Sequence, residues 1–503
     1  MASAKTVEAP TGTAVVWMDP ADVLTDKNIR DLVLDEEFLD SVGDLGVLVP
    51  TVALRTKEGR TRVWLGNRRV AAAVVKGKQV PVWTVGDEGD TQAMQRVRVL
   101  GQYDENKQRR ALTAGEEAGV VQVLFDLKMT APAIGKRMKM DPAQVAAARK
   151  VAKSEFATKA AGEHNLNMME SAVIAEFADA GDGEAATALI AQHRDNPRQF
   201  EHLAQRLRDS TVSRAERRAV VDALEAAGIT VLISSQYQNR LTGLRDADGT
   251  EVTTENHAGC PGHAAYITQG QEKIDSPPES GSRYRDVWTV QYVCTDPDAY
   301  GHTRPPERTQ PDKTDDERAA DLAKKRAVRE GNKAWKSATT VRMKFLASFA
   351  ARKTAPKDAA EFMAAYISGS GYALRQSMER NHPLACEIFG LAKPEDNQFY
   401  NNERKERIAA LVDAAAPARR IVIGLTILLT ACERQCADTA TWNQQDSPYW
   451  SLRADAGMYL AYLEAQGHVL SEIEATVAHP APPAEPDSDT EIGSGGDDGD
   501  QAD

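Results

Sequence analysis

Apolar and polar residues alternate at a period of two in only two stretches of this 503-residue chain, residues 15–85 and 229–302; the rest, as far as Thr476, repeats at helical spacing. Neither a single sheet nor a single helical bundle accommodates that division, and at roughly 100 to 200 residues per domain the length allows about three domains. In the first stretch, VVWM begins at Val15 and an amphipathic run covers residues 36–45. VPTVALRT and RVWLG flank the charged turn KEGR, which predicts a hairpin. NRRVAAAVVKG then predicts a helix stopped by Gly77, and VPVWTV returns to strand. The expectation is an α+β domain over residues 15–110, preceded by a flexible arm, 1–14.

Alanine, leucine, glutamate and arginine at helical spacing predict a helical domain over residues 111–228. ITVLIS, EVTT, AAYIT and VWTVQYVCT, with a turn at Asp248-Gly249, predict a small β-rich module over 229–305. PPERTQPDK reads as a linker, and a helical C-terminal region follows over 312–476. Residues 477–503 are proline, glycine, serine and acid, a composition that buries too little apolar surface to offset chain entropy, and should be disordered.

The formal net charge of −13 argues against a protein that coats nucleic acid without specificity. Yet Glu485, Asp487, Asp489, Glu491, Asp497, Asp498, Asp500 and Asp503 crowd the end of the chain, and removing those eight charges leaves −5. Contact with DNA must then come from a local basic patch. No window approaches the roughly eighteen consecutive apolar residues of a membrane span, and MASAKTVEAPTGT lacks the apolar core of a secretory signal. A cytoplasmic chain with no membrane partner is expected. Five cysteines, none before Cys260, make no disulfide framework.

Gly66, Asn67, Arg68 and Arg69 stand where RVWLG turns into a helix. A helix start offers unpaired N–H groups and a positive dipole end, and two arginines add planar, permanently charged donors for phosphate. Taken alone, these residues read as an arginine pair on a solvated face. Twenty residues before Gly66 lies Gly46-Val47-Leu48-Val49-Pro50, and Glu105-Asn106-Lys107-Gln108-Arg109 begins thirty-six residues after Arg69.

Beyond that, TAPAIGKRMKMDPAQVAAARKVAKS places Thr130 and then Asp141 as N-caps, each with a proline in the following turn. Ile134, Met138 and Val145 have the spacing of a core between two short helices. Lys136, Arg137, Lys139, Arg149, Lys150 and Lys153 face only Asp141 and Glu155 in charge. The plain reading is a helical hairpin with a basic surface; the functional one is a helix-turn-helix. In the latter, Ala143, Gln144 and Ala147 would face bases, Gln144 being the group able to pair with adenine, while Lys136, Arg137, Lys139, Arg149 and Lys150 hold phosphates. Arg206, Arg208, Arg214, Arg217 and Arg218 form a second basic cluster.

A glycine-leucine-proline turn, G-x-R-R-x-x-A from Gly66 to Ala72, and E-N-x-Q-R just before a helix-turn-helix together resemble the ParB family, over residues 15–160 or about three-tenths of the chain. The resemblance implies a CTP and magnesium site. Gly46, Leu48, Pro50 and Arg55 would lie on the base side, Gly66, Asn67, Arg68 and Arg69 would cradle the triphosphate, and Glu105 and Asn106, with Arg109, would serve magnesium and phosphate. The family commonly has a glutamate, associated with turnover, where this chain has Asn67. Asparagine hydrogen-bonds but cannot act as a base, so binding is expected and hydrolysis is weak or absent. Sulfiredoxin-like enzymes of the same superfamily need a cysteine in this loop, and none occurs here.

The resemblance further implies binding to double-stranded DNA, a homodimer, a ParA-like ATPase partner and association with nucleoid or plasmid. Partition of a plasmid or chromosome is the leading expectation. A KorB-like repressor and a nucleotide-hydrolysing enzyme or nuclease on the same scaffold are the alternatives. Against partition stands an N-terminal arm with only Lys5 as a basic residue in its first fourteen positions.

Cys260-Pro261-Gly262-His263, followed by Cys294 and His302, has the residue types of a tetrahedral zinc site, with His257 able to replace one histidine. Two buried cysteines with surface histidines account equally for the pattern. Cys386, Cys432 and Cys436 lie in helical segments and read as core, and no familiar motif follows residue 230.

Overall fold

The computed structural model describes residues 14–25, 34–87, 92–109, 111–233, 239–273, 284–304, 314–369, 372–391, 402–443 and 452–480. The linker PPERTQPDK, most of the N-terminal arm and nearly all of the acidic tail lie outside the described residues. Packing divides the chain into two units, Met1–Phe200 and Glu201–Asp503.

The first unit opens with β1 (Val16–Met18), β2 (Val23–Leu24), α1 (Glu36–Leu45), β3 (Thr51–Arg55), β4 (Thr61–Leu65), α2 (Asn67–Lys76) and β5 (Val80–Asp87). The strands form one sheet in the order β1-β5-β3-β4-β2. β3 and β4 pair antiparallel around the KEGR turn, as the alternation predicts. β5 runs parallel to β3, which demands a crossover, and α2 lies in it. Ala53, Val63, Val70, Ala73, Val80 and Val82 form the core beneath α2, with Val42 of α1. Gly77 takes φ 63° and ends α2 where the sequence predicts.

Seven helices follow: α3 (Gln92–Arg109), α4 (Ala114–Asp126), α5 (Ala131–Met138), α6 (Pro142–Val151), α7 (Glu155–Glu163), α8 (Met168–Asp179) and α9 (Gly183–Asp195). Next, α10 (Phe200–Ala226) carries the chain into the second unit.

There, β6 (Thr230–Leu232), β7 (His263–Lys273) and β8 (Tyr284–Cys294) form a three-stranded sheet, β7 and β8 pairing antiparallel along eleven residues each. EVTT is not the strand its composition suggests. Glu251 makes a single bridge with Arg245, and the Thr253 hydroxyl then accepts from the N–H of Asn256 and starts α11 (Thr254–His257). The Thr253 cap ends the short pairing of Glu251 and Val252 with Arg245 and Leu244, so the chain turns into helix instead of extending as strand. Asp248-Gly249 does turn, with Gly249 at φ 86°.

The helical remainder comprises α12 (Asp315–Ala350), α13 (Ala359–Gly369), α14 (Tyr372–Glu379), α15 (Pro383–Ile388), α16 (Asn402–Ala414), α17 (Pro417–Cys436), α18 (Ala440–Asn443), α19 (Leu452–Ala465) and α20 (Glu472–Ala478). Its core contains Trp335, Phe349, Tyr366, Leu429, Tyr459 and Leu463, and Cys432 and Cys436 are packed there as ordinary core residues. Inside it lies an ion network. Arg342 is fully buried and donates through Nε and Nη2 to both oxygens of Glu433, at 2.8 and 3.0 Å, and through Nη1 to Glu474 Oε1 at 2.7 Å. The Tyr459 hydroxyl donates to Glu433 at 2.7 Å, and Ser471 N and Oγ both donate to Glu474 Oε2, at 2.7 and 2.6 Å. Among the described residues no helix is long and apolar enough to cross a membrane.

Candidate nucleotide and nucleic-acid sites

β4 delivers the chain to Gly66, whose φ of 107° lies in the left-handed region. A Cβ there would stand 2.9 Å from Thr51 Cγ2, so both backbone and space require glycine. As N-cap of α2, Gly66 brings no side chain to the first-turn N–H groups; the Arg69 N–H donates to the Gly66 carbonyl at 2.9 Å, and those of Asn67 and Arg68 precede it at the helix start. Asn67 follows, buried, and its Oδ1 has no hydrogen-bond partner.

The two arginines are held on opposite sides. Arg69 Nη1 donates to the Pro50 carbonyl at 2.9 Å, so the Gly46–Pro50 turn and the Gly66–Arg69 loop meet directly. Arg68 pairs with Asp35 and lies 4.2 Å over the Phe38 ring. The Phe38 N–H and the Arg68 guanidinium outweigh desolvation and hold the Asp35 carboxyl below its ordinary range. Gly46 closes α1 at φ 74°, Val47 is buried, and Leu48 points out at 72% exposure. Arg55 does not join them. It pairs with Thr61 at the far end of β3, four residue steps of about 3.3 Å from Thr51.

The third stretch arrives on α3. Gln102 Nε2 donates to the Trp64 carbonyl at 3.0 Å, two residues before Gly66, and the Trp64 indole donates to the Arg98 carbonyl at 3.4 Å. Glu105 and Asn106 lie one turn further along and are half-buried. The side chain of Arg109 lies outside what is described. The same helix holds the next domain at three points. Arg96 Nε donates to the Leu127 carbonyl at 2.8 Å, the buried Tyr103 hydroxyl donates to Glu117 at 3.2 Å, and Asp104 pairs with Arg137 of α5. Periodicity alone offered no sign of these contacts, although Gln102, Tyr103 and Asp104 immediately precede the Glu105 motif.

α5 and α6 meet as a tight helix-turn-helix. Lys139 takes φ 59°, and a Cβ on Gly135 would stand 2.8 Å from the Met140 carbonyl, which admits only glycine. Ile134, Met138 and Val145 are buried between the helices, as their spacing predicts. Two base-facing assignments change. Ala147 is 5% exposed and lies in the core, while Ala146 is the exposed alanine, because α6 packs on both α4 and α8 and buries a wider face than a two-helix contact would. Gln144 closes a capping box, its Oε1 accepting from Asp141 N at 3.0 Å and its N–H donating to Asp141 Oδ1 at 2.7 Å. Bidentate pairing with adenine needs that oxygen; with the cap intact, only the amide NH₂ remains to donate. Ala143, Lys136, Lys139 and Lys150 are exposed, and Arg149 is exposed with its guanidinium 5.0 Å over the Phe125 ring. Arg137 is taken by Asp104 and is not a spare phosphate contact. In the second basic cluster, Arg208 pairs with Glu201, Arg218 with Asp222, and Arg217 lies over Trp288.

This chain is similar to ParB of Caulobacter crescentus. The C-terminally truncated chromosome-partitioning protein complexed to the centromeric parS site matches at 22% identity, covering 38% of this chain and 98% of that one, with a TM-score of 0.26. The same protein complexed with CTP-gamma-S matches at 22% identity over 35% of this chain and 98% of that one, with a TM-score of 0.16. No family model matches the chain, and no curated protein does. At such scores the likeness to ParB fixes neither architecture nor chemistry, which rest on the residues themselves.

The β-rich module gathers a further set of groups. His257 ends α11, Cys260 follows in a turn, Cys294 ends β8, and His302 comes after the next turn; one ligand atom from each lies within 4.8 Å of the others. His263, a ligand in the sequence reading, is not in this set. Its Nδ1 lies 2.8 Å from Nδ1 of His257, and its ring stacks on Tyr292. As first residue of β7, it has its orientation fixed by the strand, and the turn swings His257 inward instead. The sequence reading allowed His257 to replace one histidine, and His263 is the one it replaces in this set.

Proposed function

We propose that the chain is a ParB-like clamp that binds CTP with magnesium, recognises a double-stranded DNA site as a homodimer, and acts with a ParA-like ATPase in partition of a plasmid or chromosome. The observation that carries this reading is the position of α3. Its Gln102 holds the strand end that feeds the phosphate loop, and two residues on, Asp104 holds the helix-turn-helix through Arg137. A ligand that rearranges the loop therefore acts on the DNA-binding helices through one rigid element.

The residues fit the nucleotide. Uncapped N–H at the start of α2 and two arginines suit a triphosphate, and the buried Asn67 amide oxygen, an acceptor, suits the accompanying magnesium or a donor rather than phosphate. To reach phosphate, Arg68 exchanges the Asp35 carboxylate for the ligand. Leu45, Leu48 and Val49, each more than half exposed, supply apolar surface beside the first stretch for a base. Magnesium, a hard cation, takes oxygen from Glu105 and Asn106 and from the phosphates it neutralises. With Asn67 in place of a carboxylate no general base stands at the loop, and turnover is slow.

The test is calorimetry of CTP, ATP, GTP and UTP with magnesium, with and without genomic DNA fragments, alongside phosphate release. CTP should bind in preference, Arg68→Ala should abolish binding, and Asn67→Glu should raise phosphate release with little change in affinity. Absence of CTP binding under all these conditions would leave a plain helix-turn-helix DNA binder.

A further inference from the structure

We infer that the β-rich module is stapled by one structural zinc ion held by His257 Nε2, Cys260 Sγ, Cys294 Sγ and His302 Nε2, with His263 and Asp246 as positioning residues. The first support is the chemistry of the donors. Two thiols and two imidazoles are the set that zinc takes in closed tetrahedral sites, and two thiolates neutralise its charge. On binding, the two thiols release their protons to solvent and the sulfurs bond the metal, with no change in oxidation state.

The second support is geometric. A tetrahedron with zinc–sulfur bonds of about 2.3 Å and zinc–nitrogen bonds of about 2.0 to 2.1 Å has edges of roughly 3.3 to 3.8 Å. Cys260 Sγ and His302 Nε2 already stand 3.6 Å apart, and the whole set within 4.8 Å, so contraction by about 1 Å closes it. The cysteines are not joined in a disulfide.

The third is the pattern of second contacts. His257 is 1% exposed, and its Nε2 has no partner, an expense a folded chain rarely bears. Its other nitrogen meets His263 Nδ1 at 2.8 Å; with His257 Nδ1–H as the donor there, the Nε2 lone pair is left for a metal. His302 Nδ1 meets Asp246 Oδ1 at 2.7 Å, the carboxylate–histidine arrangement that orients a metal-bound imidazole. Gly262 makes room: a Cβ there would stand 2.8 Å from Cys294 Sγ and 2.6 Å from the Tyr300 ring.

The fourth is need. Among the described residues the module's own apolar core is two small clusters, Leu241, Leu244, Val252 and Cys294 in one and Ala264, Tyr266 and Val293 in the other. So small a core commonly requires a staple. The buried His202, His468 and Glu474, which also converge, are a different case, because Arg342 Nη1 already occupies Glu474 Oε1.

Metal content of the full chain, freed of any affinity tag, tests this independently of nucleotide or DNA. About one zinc per chain is expected, with a cobalt-substituted form showing thiolate charge-transfer and tetrahedral bands. His257→Ala and Cys260→Ser should empty the site. His263→Ala and Asp246→Asn should keep the stoichiometry but release zinc to a chelator at about 10–100-fold lower chelator concentration. Should the ligand variants fail to fold, a chelator added to the unaltered chain should raise hydrogen exchange along β7 and β8. Metal-free protein, a Cys260–Cys294 disulfide, unchanged exchange, or a His257→Ala chain that keeps zinc while His263→Ala loses it would each overturn the assignment.

Discussion

Arg342 in the C-terminal bundle and Asn67 in the N-terminal domain are both helix residues with buried polar ends, and the fold treats them in opposite ways. Arg342 spends four of its five N–H donors on Glu433, Glu474 and Thr339, lies over Trp335 and is fully buried, so it is closed to a ligand. Asn67 keeps an acceptor buried and unmatched at the start of α2. Desolvating such a group costs about 1–3 kcal/mol. The contrast separates polar burial that specifies a core from polar burial addressed to something outside the chain.

Breaking the saturated side should have the largest effect. Arg342→Ala leaves two carboxylates buried without their cation and should lower stability by about 3–5 kcal/mol in urea unfolding of the full chain. A loss below about 1 kcal/mol would mean that the network rearranges and is not a core element.

Acid should loosen the same core. Burial holds His202 neutral, below its ordinary 6.5, against the weaker pull of the Val469 carbonyl and Glu474. Burial alone would raise Glu474, but His468, Arg342 and Ser471 outweigh it and hold the carboxyl far below its ordinary 4.5. Both contribute stability at neutral pH that is lost as the unfolded chain takes up protons, first as pH falls below 6.5 and then below 4.5. Protection of the α17 and α20 amides, with exchange corrected for its intrinsic pH dependence, should fall from pH 7 to 5.5 to 4; unchanged protection would remove the linkage.

On the DNA side, Gln144→Ala should weaken a specific site by roughly 0.5–1.5 kcal/mol, the worth of the single donor the cap leaves it, while Lys150→Ala should weaken all sequences alike and flatten the salt dependence. Gln144→Glu keeps the oxygen of the capping box and removes the NH₂ donor, so it should lose the specific site with α6 intact by circular dichroism. Equal losses on specific and random DNA would end the readout role.

The smallest stability effect is expected at the unmatched group. Asn67→Ala deletes the orphan acceptor, so unfolding without nucleotide should change by less than about 1 kcal/mol while CTP affinity falls. A large loss of stability with affinity intact would place Asn67 with Arg342 as a structural residue.

Local signals reached far into this molecule. The hairpin around KEGR, the end of α2 at Gly77, the cap at Asp141 and the Ile134, Met138 and Val145 core all follow from short-range rules of turn, cap and periodicity. The misses share one cause: they depend on contacts distant in sequence. Ala147 looked exposed because one helix pair was considered and α8 was not. Arg342 carries no local sign of its burial, and its partners lie 91 and 132 residues away. The likeness to ParB, in turn, was carried by residues 46–109, where motif order replaces long-range contact.

Because α3 supports the strand end before Gly66 through Gln102 and helices α4 and α5 through Tyr103 and Asp104, a substitution at this turn of it is read twice. Such a helix cannot be traded between relatives as a spare part, for an exchange that suits one neighbour misfits the other. Change here must come in matched sets, Gln102 with the Trp64 strand end and Asp104 with Arg137. The consequence reaches inheritance: α3 should vary more slowly than the surfaces it serves, and a hybrid protein spliced within it should lose both activities at once, whereas one spliced after Arg109 should keep the first.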